Sequence, residues 1–113
     1  MTFEKILSNY NIKKILKELR EKIKDDLEIN EIIDDRQIIY QHSGEDFCLI
    51  KIKKDYLEID FITDNRIEDP MEFSWKIKPT KKCNFNRRMQ IKNIGDIDTV
   101  YGLIFQSYNA EKE

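Results

Sequence analysis

The sequence predicts an α+β domain in which about five antiparallel strands form a sheet, with helices near both ends of the chain packed on one face. Three observations lead to this class. Apolar residues recur at helical spacing near the N-terminus and again after Gly95, and they alternate with polar residues in between. Helices with one apolar stripe and a sheet with one apolar face bury those surfaces by packing together. We expect a single domain over residues 1–113, a length that can bury one core without disulfides or metals.

The N-terminal region has two helical segments. Residues 2–8 are expected to form a short helix, and a longer helix is expected from an N-cap at Asn11 to about Asp25. The longer segment places its apolar residues at spacings that put them on one buried helix face. These residues are Ile12, Ile15, Leu16, Leu19 and Ile23.

An acidic stretch follows the second helix. Residues 25–35 hold six acids and no base, with four apolar residues among them. We interpret this stretch as a connection that has room for a short strand. Such a charge run is normally a solvated surface.

From Gln37 the hydrophobic period changes to two, which is typical of strands with one buried face. Turn residues divide this region into three strands. The strands cover residues 38–42, 47–53 and 56–63. In the third strand, Glu58 and Asp60 point away from the apolar residues, so we expect that side of the sheet to be solvated.

A polar loop over residues 64–70 separates these strands from two more. The fourth strand runs up to Pro79, and its apolar residues, including Trp75, are expected to face the core. The fifth strand covers residues 88–93. Gly95 then ends the sheet region.

The last helix is expected to begin at a cap formed by Asp96 or Asp98. Its apolar stripe again has helical spacing and predicts one buried face. The stripe consists of Val100, Leu103, Ile104 and Tyr108.

Three runs in the C-terminal third resemble the end of a known domain family. The runs are Asn86–Lys92, Ile94–Asp98 and Leu103–Tyr108. With the strand-turn-strand of residues 38–61, they make the chain similar to a small uncharacterised α+β family often labelled "predicted transport protein". The similarity covers about residues 12–110 and is best over 86–108. It implies an accessory domain and transfers no established activity. Many members have a histidine near the position of Arg87 and Arg88, and this chain has none there, which argues against histidine-based chemistry.

The most concentrated charge in the chain is basic. Residues 76–92 hold seven bases and no acid, namely Lys76, Lys78, Lys81, Lys82, Arg87, Arg88 and Lys92. Basic side chains beside an aromatic ring suit a polyanion such as single-stranded nucleic acid, and Phe85 is the candidate stacking residue. If residues 79–87 form the loop of a hairpin, three of these bases gather at its tip.

An alternative explains the same bases without a ligand. Residues 55–72 hold seven acids and one base, so Glu58 and Asp60 are able to pair across the sheet with Lys76 and Lys78. The formal net charge of −2 also gives the chain no overall attraction to nucleic acid or to a membrane surface. The sequence leaves both interpretations open.

Few residues are suited to catalysis. His42 is the single histidine, and no His/Cys cluster has ligand spacing, so neither a metal nor another cofactor is expected. Cys48 is expected to be a buried apolar residue and Cys83 a loop thiol beside lysines, both of them free. No phosphate-binding loop or nucleophile motif occurs. An enzyme with a scattered site, using Tyr40, His42 and nearby carboxylates, is the remaining catalytic alternative.

The favoured function is therefore a non-catalytic binding or accessory module that engages a protein or a polyanion through the sheet face, its edge or residues 76–92. Nucleic-acid binding by residues 76–92 is the first alternative. Because small antiparallel sheets expose strand edges, a homodimer formed by edge pairing is a further expectation. No stretch reaches the roughly 18 apolar residues of a membrane span, and the N-terminus lacks a signal-peptide pattern. We expect a cytoplasmic protein with no membrane partner.

Overall fold

The computed structural model describes residues 10–64, 66–81 and 83–110. Its elements in chain order are α1 (Tyr10–Asp26), β1 (Asn30–Asp34), β2 (Gln37–His42), β3 (Glu45–Ile52), β4 (Leu57–Phe61), β5 (Ser74–Lys76), β6 (Arg87–Ile91), a 3-10 turn (Ile94–Asp96) and α2 (Ile97–Asn109). The short helix expected over residues 2–8 lies outside the described residues.

The strands of the described residues form one antiparallel sheet in the order β1-β2-β3-β4-β6-β5. Strand β6 pairs with β4 on one side and with β5 on the other, so β5 lies at one edge of the sheet and β1 at the opposite edge. The α+β class is confirmed, with six strands instead of about five. The additional strand is β1, which lies in the acidic stretch interpreted as a connection.

The core lies between the helices and one face of the sheet. The stripe predicted for α1 is buried as expected. It meets a row of buried strand residues that are in register across four strands, namely Ile38, Ile50, Ile59 and Met89. None of the described helices has the length and apolar character needed to cross a membrane.

Ser107 fixes α2 to the sheet. Its buried Oγ accepts a hydrogen bond from the backbone N–H of Ile62 at 3.2 Å. The same oxygen lies 3.0 Å from the carbonyl oxygen of Phe47 and 2.6 Å from that of Ile62, so its hydroxyl donates to this pair of acceptors. The neighbouring Tyr108 ring packs edge-on against Phe47, with the centroids 5.7 Å apart. The Ser-Tyr pair that ends the chain's last apolar run therefore has a structural role.

The predicted helix caps differ from those observed. Asn11 is not an N-cap, since Tyr10 precedes it inside α1, and its side-chain amide donates to the carbonyl oxygen of Lys92 at 2.8 Å. Asp96 occupies the position before α2 but makes no side-chain hydrogen bond that caps the helix. Asn11 instead ties the start of α1 to the end of β6.

Candidate functional site

Strands β5 and β6 form a hairpin at one edge of the sheet, here named the β5–β6 hairpin (residues 74–91). Its pairing continues beyond β5, because the N–H of Ile77 donates to the carbonyl oxygen of Asn86 at 3.0 Å. At the tip, Thr80 and Cys83 exchange backbone hydrogen bonds of 2.9 and 3.2 Å. The hairpin suggested by the sequence is present, and its two arms pair as far as Thr80 and Cys83.

Arg88 is held on the sheet by the carboxylates of β4. Its Nε lies 2.7 Å from one oxygen of Asp60 and its Nη2 lies 3.1 Å from the other, an arrangement with two parallel hydrogen bonds. Lys51 on β3 places its Nζ 3.2 Å from Asp60 and 3.7 Å from Glu58. Glu58 is also 3.7 Å from the Nε of Arg88. Two bases and two acids therefore neutralise one another.

Asp60 is only 2% exposed and Glu58 only 8%, although the alternation in β4 predicts that both face solvent. That expectation is wrong because Arg88 and Lys51 lie against both carboxylates. Burial by itself would raise the pKa of Asp60, but hydrogen bonds from Arg88 and Lys51 outweigh this effect and hold the pKa below its usual value. Arg88 is thus the counterion of a buried carboxylate.

Arg87, the first residue of β6, is bound to the start of β5. Its Nε donates to Ser74 Oγ at 2.7 Å, and its Nη2 donates to the Ser74 carbonyl oxygen at 3.3 Å. The Nη2 atom also lies 3.7 Å from Asp69. Asp69 in turn accepts hydrogen bonds from the N–H groups of Phe73 and Ser74 and from the Ser74 hydroxyl, at 3.0, 2.8 and 2.6 Å. Arg87 therefore lies within the β6 arm and not at the tip of the hairpin, and its side chain anchors the start of the edge strand β5.

The lysines of the hairpin are placed differently from the arginines. Lys76, Lys78 and Lys81 are exposed, and no ion pair joins any of them to a carboxylate in the part of the chain that the structure describes. They do not meet Glu58 or Asp60, because β6 lies between β4 and β5. The pairing suggested between the acids of β4 and the two lysines Lys76 and Lys78 is therefore wrong.

Two of the remaining predicted lysines lie elsewhere. Lys82 falls outside the described residues. Lys92 is exposed, but it follows the far end of β6, about 17 Å along an extended chain from Arg87. The structure thus brings Lys76, Lys78 and Lys81 together on one hairpin and places Lys92 away from it.

Trp75 is the aromatic residue that the hairpin exposes. It is 43% exposed, whereas Phe85, the residue predicted to stack, is 6% exposed. The expectation that Trp75 faces the core is wrong, because β5 is an edge strand and Trp75 lies opposite Arg88, on the sheet face away from the helices. In the sequence, lysines alternate with the apolar residues from Trp75 onward, and this pattern is typical of an exposed edge strand.

Tyr40 and His42 have separate surroundings. The Tyr40 hydroxyl donates to Glu31 at 2.8 Å, and burial together with this hydrogen bond raises the pKa of Tyr40 well above its usual value. His42 instead places Nδ1 3.1 Å from the carbonyl oxygen of Glu28, and its ring lies 4.1 Å from that of Tyr108. Each residue therefore has a packing role, and the two do not form a joint site.

Other candidate chemistry is dispersed. Cys48 and Cys83 are free thiols, and burial raises the pKa of Cys48 above its usual value. Among the described residues, no group of three or more His, Cys, Asp or Glu side chains is placed to hold a metal ion. A groove of about 290 Å³, lined by Arg66, Phe105 and Gln106 among others, contains neither Tyr40, His42 nor a hairpin lysine.

Comparisons with known proteins give one match. A family model described as "Domain of unknown function (DUF5655)" matches residues 3–111. The search of curated proteins and the search of solved structures each found no match. The expectation of an uncharacterised domain family is confirmed, and nothing in the match supports the label "predicted transport protein".

Proposed function

The chain belongs to the DUF5655 family, a domain of unknown function, and we propose that it is a non-catalytic module that binds a polyanion through the β5–β6 hairpin. The observation that carries this proposal is the presence of exposed Trp75 and exposed Lys76, Lys78 and Lys81 on one edge hairpin. Single-stranded nucleic acid is the polyanion that offers both phosphates for lysines and unpaired bases for an aromatic ring. It is therefore the partner we propose.

The hairpin offers both kinds of contact along one rim. Side chains alternate along an extended strand, so Trp75 lies on the sheet face away from the helices and Lys76 points to the other face. At a sheet edge, both faces border the same outer rim. A single strand that follows this rim meets the lysines through its phosphates and Trp75 through a base. Trp75 is therefore the stacking residue of this proposal in place of Phe85.

The net charge of −2 does not oppose this binding, because the charge is distributed unevenly over the sheet. The acids in and next to β1, over residues 28–35, lie at the opposite edge of the sheet, five strand spacings from β5. Five spacings of about 4.8 Å give roughly 24 Å, whereas the Debye length at physiological ionic strength is about 8 Å. The acids of the β1 edge are therefore screened from the lysines. Exposed Glu68 and Glu72 lie closer to β5 in the chain, so we expect modest affinity.

We expect the protein to bind a labelled single-stranded oligonucleotide of about 16 nucleotides at low salt, measured by fluorescence anisotropy. Three phosphate contacts give a slope of about −2 for log K against log salt concentration. The variant Lys76→Glu/Lys78→Glu/Lys81→Glu should bind about 30-fold more weakly, half a decade for each lysine replaced. A duplex of the same sequence should bind more weakly than the single strand, because its stacked bases are closed to Trp75.

A matched control distinguishes binding by the hairpin lysines from a general effect of the protein's net charge. Lys13, Lys14 and Lys17 are exposed on α1, and replacing all three with glutamate changes the net charge by the same amount. This control should bind like the unmodified protein. Equal weakening in both triple variants, or no binding by the unmodified protein at low salt, contradicts the proposal. Arg87 and Arg88 are not replaced in this variant, because their hydrogen bonds to Ser74 and Asp60 stabilise the sheet.

A further inference from the structure

Strand β1 forms the sheet edge opposite the β5–β6 hairpin. It pairs with β2 along its whole length, from Asn30 opposite Gln41 to Asp34 opposite Gln37. Within the described part of the chain, no strand pairs with its outer side. Alternate N–H and C=O groups of an antiparallel strand point to that side, where they can pair with a further strand.

Apolar residues are exposed on both faces of this edge. Ile32 and Ile33 are each 45% exposed. Ile32 lies opposite Ile39, on the face away from the helices, and Ile33 lies opposite the buried Ile38 on the helix side. On each face of the sheet, a row of apolar side chains therefore ends at this edge with a partly exposed isoleucine. A seventh strand would continue both rows.

The edge strand is fixed in position before any partner arrives. Glu31 accepts hydrogen bonds from Arg20 Nε and Nη2 at 3.0 and 2.9 Å and from the Tyr40 hydroxyl at 2.8 Å. Lys24 lies 3.7 Å from the same carboxylate. These contacts tie β1 to α1 and to β2. Because β1 is already ordered, binding a further strand costs no conformational entropy in β1 itself.

The charge around β1 selects the kind of strand that fits. The exposed acids of β1 and of the residues next to it are Glu28, Asp34 and Asp35. Natural sheets commonly protect an edge with lysines. Here the strand itself has no base, and Arg36 follows it in the turn. A basic strand finds opposite charges next to an apolar rim.

We propose that the β1 edge binds an extended basic peptide, with apolar residues alternating with lysine or arginine, as a seventh strand of the sheet. A second copy of β1 fits less well, because the strand holds two acids and no base, so two paired copies bring like charges together. This binding is independent of the polyanion site at the other edge.

The probe is a labelled peptide of about eight residues in which lysine and valine alternate. Its control has the same side chains with methylated backbone amides, so it keeps its charge but cannot donate hydrogen bonds to an edge. We expect the unmodified peptide to bind at least about tenfold more tightly than the methylated one. The amide resonances of residues 30–34 should shift on binding, and those of β5 should not.

The matched protein variant is Ile32→Thr/Ile33→Thr, which keeps charge and strand propensity and removes apolar surface. It should bind the peptide about tenfold more weakly. Equal affinity for both peptides overturns the proposal, since it shows attraction by charge alone. Absence of binding, or shifts confined to β5, also overturns it. A β1-to-β1 dimer in sedimentation, abolished by the same variant, overturns it in favour of self-association.

Discussion

The substitution Arg88→Glu is expected to unfold the domain. It removes the two hydrogen bonds that Arg88 gives to buried Asp60 and places a third carboxylate beside Asp60 and Glu58. Removing one partner of a buried ion pair costs about 3–5 kcal/mol. Repulsion adds to this cost, and whole domains are stable by about 5–15 kcal/mol. Thermal unfolding followed by circular dichroism should show a Tm at least about 15 °C lower, or no transition.

The milder Arg88→Ala substitution should show a loss that depends on pH. Asp60 has a folded-state pKa below its usual value, so it contributes stability above the unfolded pKa of about 4 and loses it as the pH falls through the folded pKa. The difference in unfolding free energy between the unmodified protein and the variant should therefore be largest at neutral pH and decrease as the pH falls below about 4. Lys92→Ala, at an exposed position, should change little. A difference that stays constant between about pH 7 and pH 3 contradicts this assignment.

The substitution Asp69→Ala is expected to detach β5 from the sheet. Burial alone would raise the pKa of Asp69, but hydrogen bonds from Ser74 and Phe73 and the charge of Arg87 outweigh it and hold the pKa below its usual value. Truncation leaves two backbone N–H groups and the Ser74 hydroxyl without their acceptor and removes the carboxylate 3.7 Å from Arg87. The expected cost is about 2–4 kcal/mol. Since β5 is a three-residue edge strand, the opening should be local.

Hydrogen exchange at β5 and the emission of Trp75 measure that opening. Exchange in β5 should accelerate by about 30-fold or more, and Trp75 emission should shift to the red, while exchange in β3 and β4 stays slow. Asp69→Asn keeps an acceptor oxygen and should show a smaller effect. Unchanged exchange in β5, or equal acceleration throughout the sheet, contradicts the anchoring role of Asp69.

Much of the fold follows from residue patterns that are local in the chain. The spacing of Ile12 to Ile23 predicts the buried face of α1, and the period of two from Gln37 onward predicts the central strands. The strand β1 is less evident, because four of its five residues are exposed, two of the five are acidic, and neither face is fully buried. Its pairing with β2 decides its conformation.

The candidate site is harder to predict, because it depends on strand order. Alternation shows that Trp75 and its neighbours form a strand, but it does not show that β6 separates this strand from β4. Because of that order, β5 is an edge strand and Trp75 is exposed. The same order also places Arg88, and not Lys76, opposite Asp60, so Arg88 forms the ion pair with this carboxylate. A run of seven bases is visible in the sequence, whereas the division between structural arginines and exposed lysines depends on the register.

The most direct test of the hairpin's function uses the chain's only tryptophan, Trp75. Titration with an unlabelled single-stranded oligonucleotide at low salt should quench its emission as a base stacks on the ring, and about 200 mM salt should restore it. The Lys76→Glu/Lys78→Glu/Lys81→Glu variant should show little quenching at the same concentrations. Oligonucleotide binding that leaves the Trp75 emission unchanged, or the absence of binding at low salt, would contradict a polyanion site on the β5–β6 hairpin.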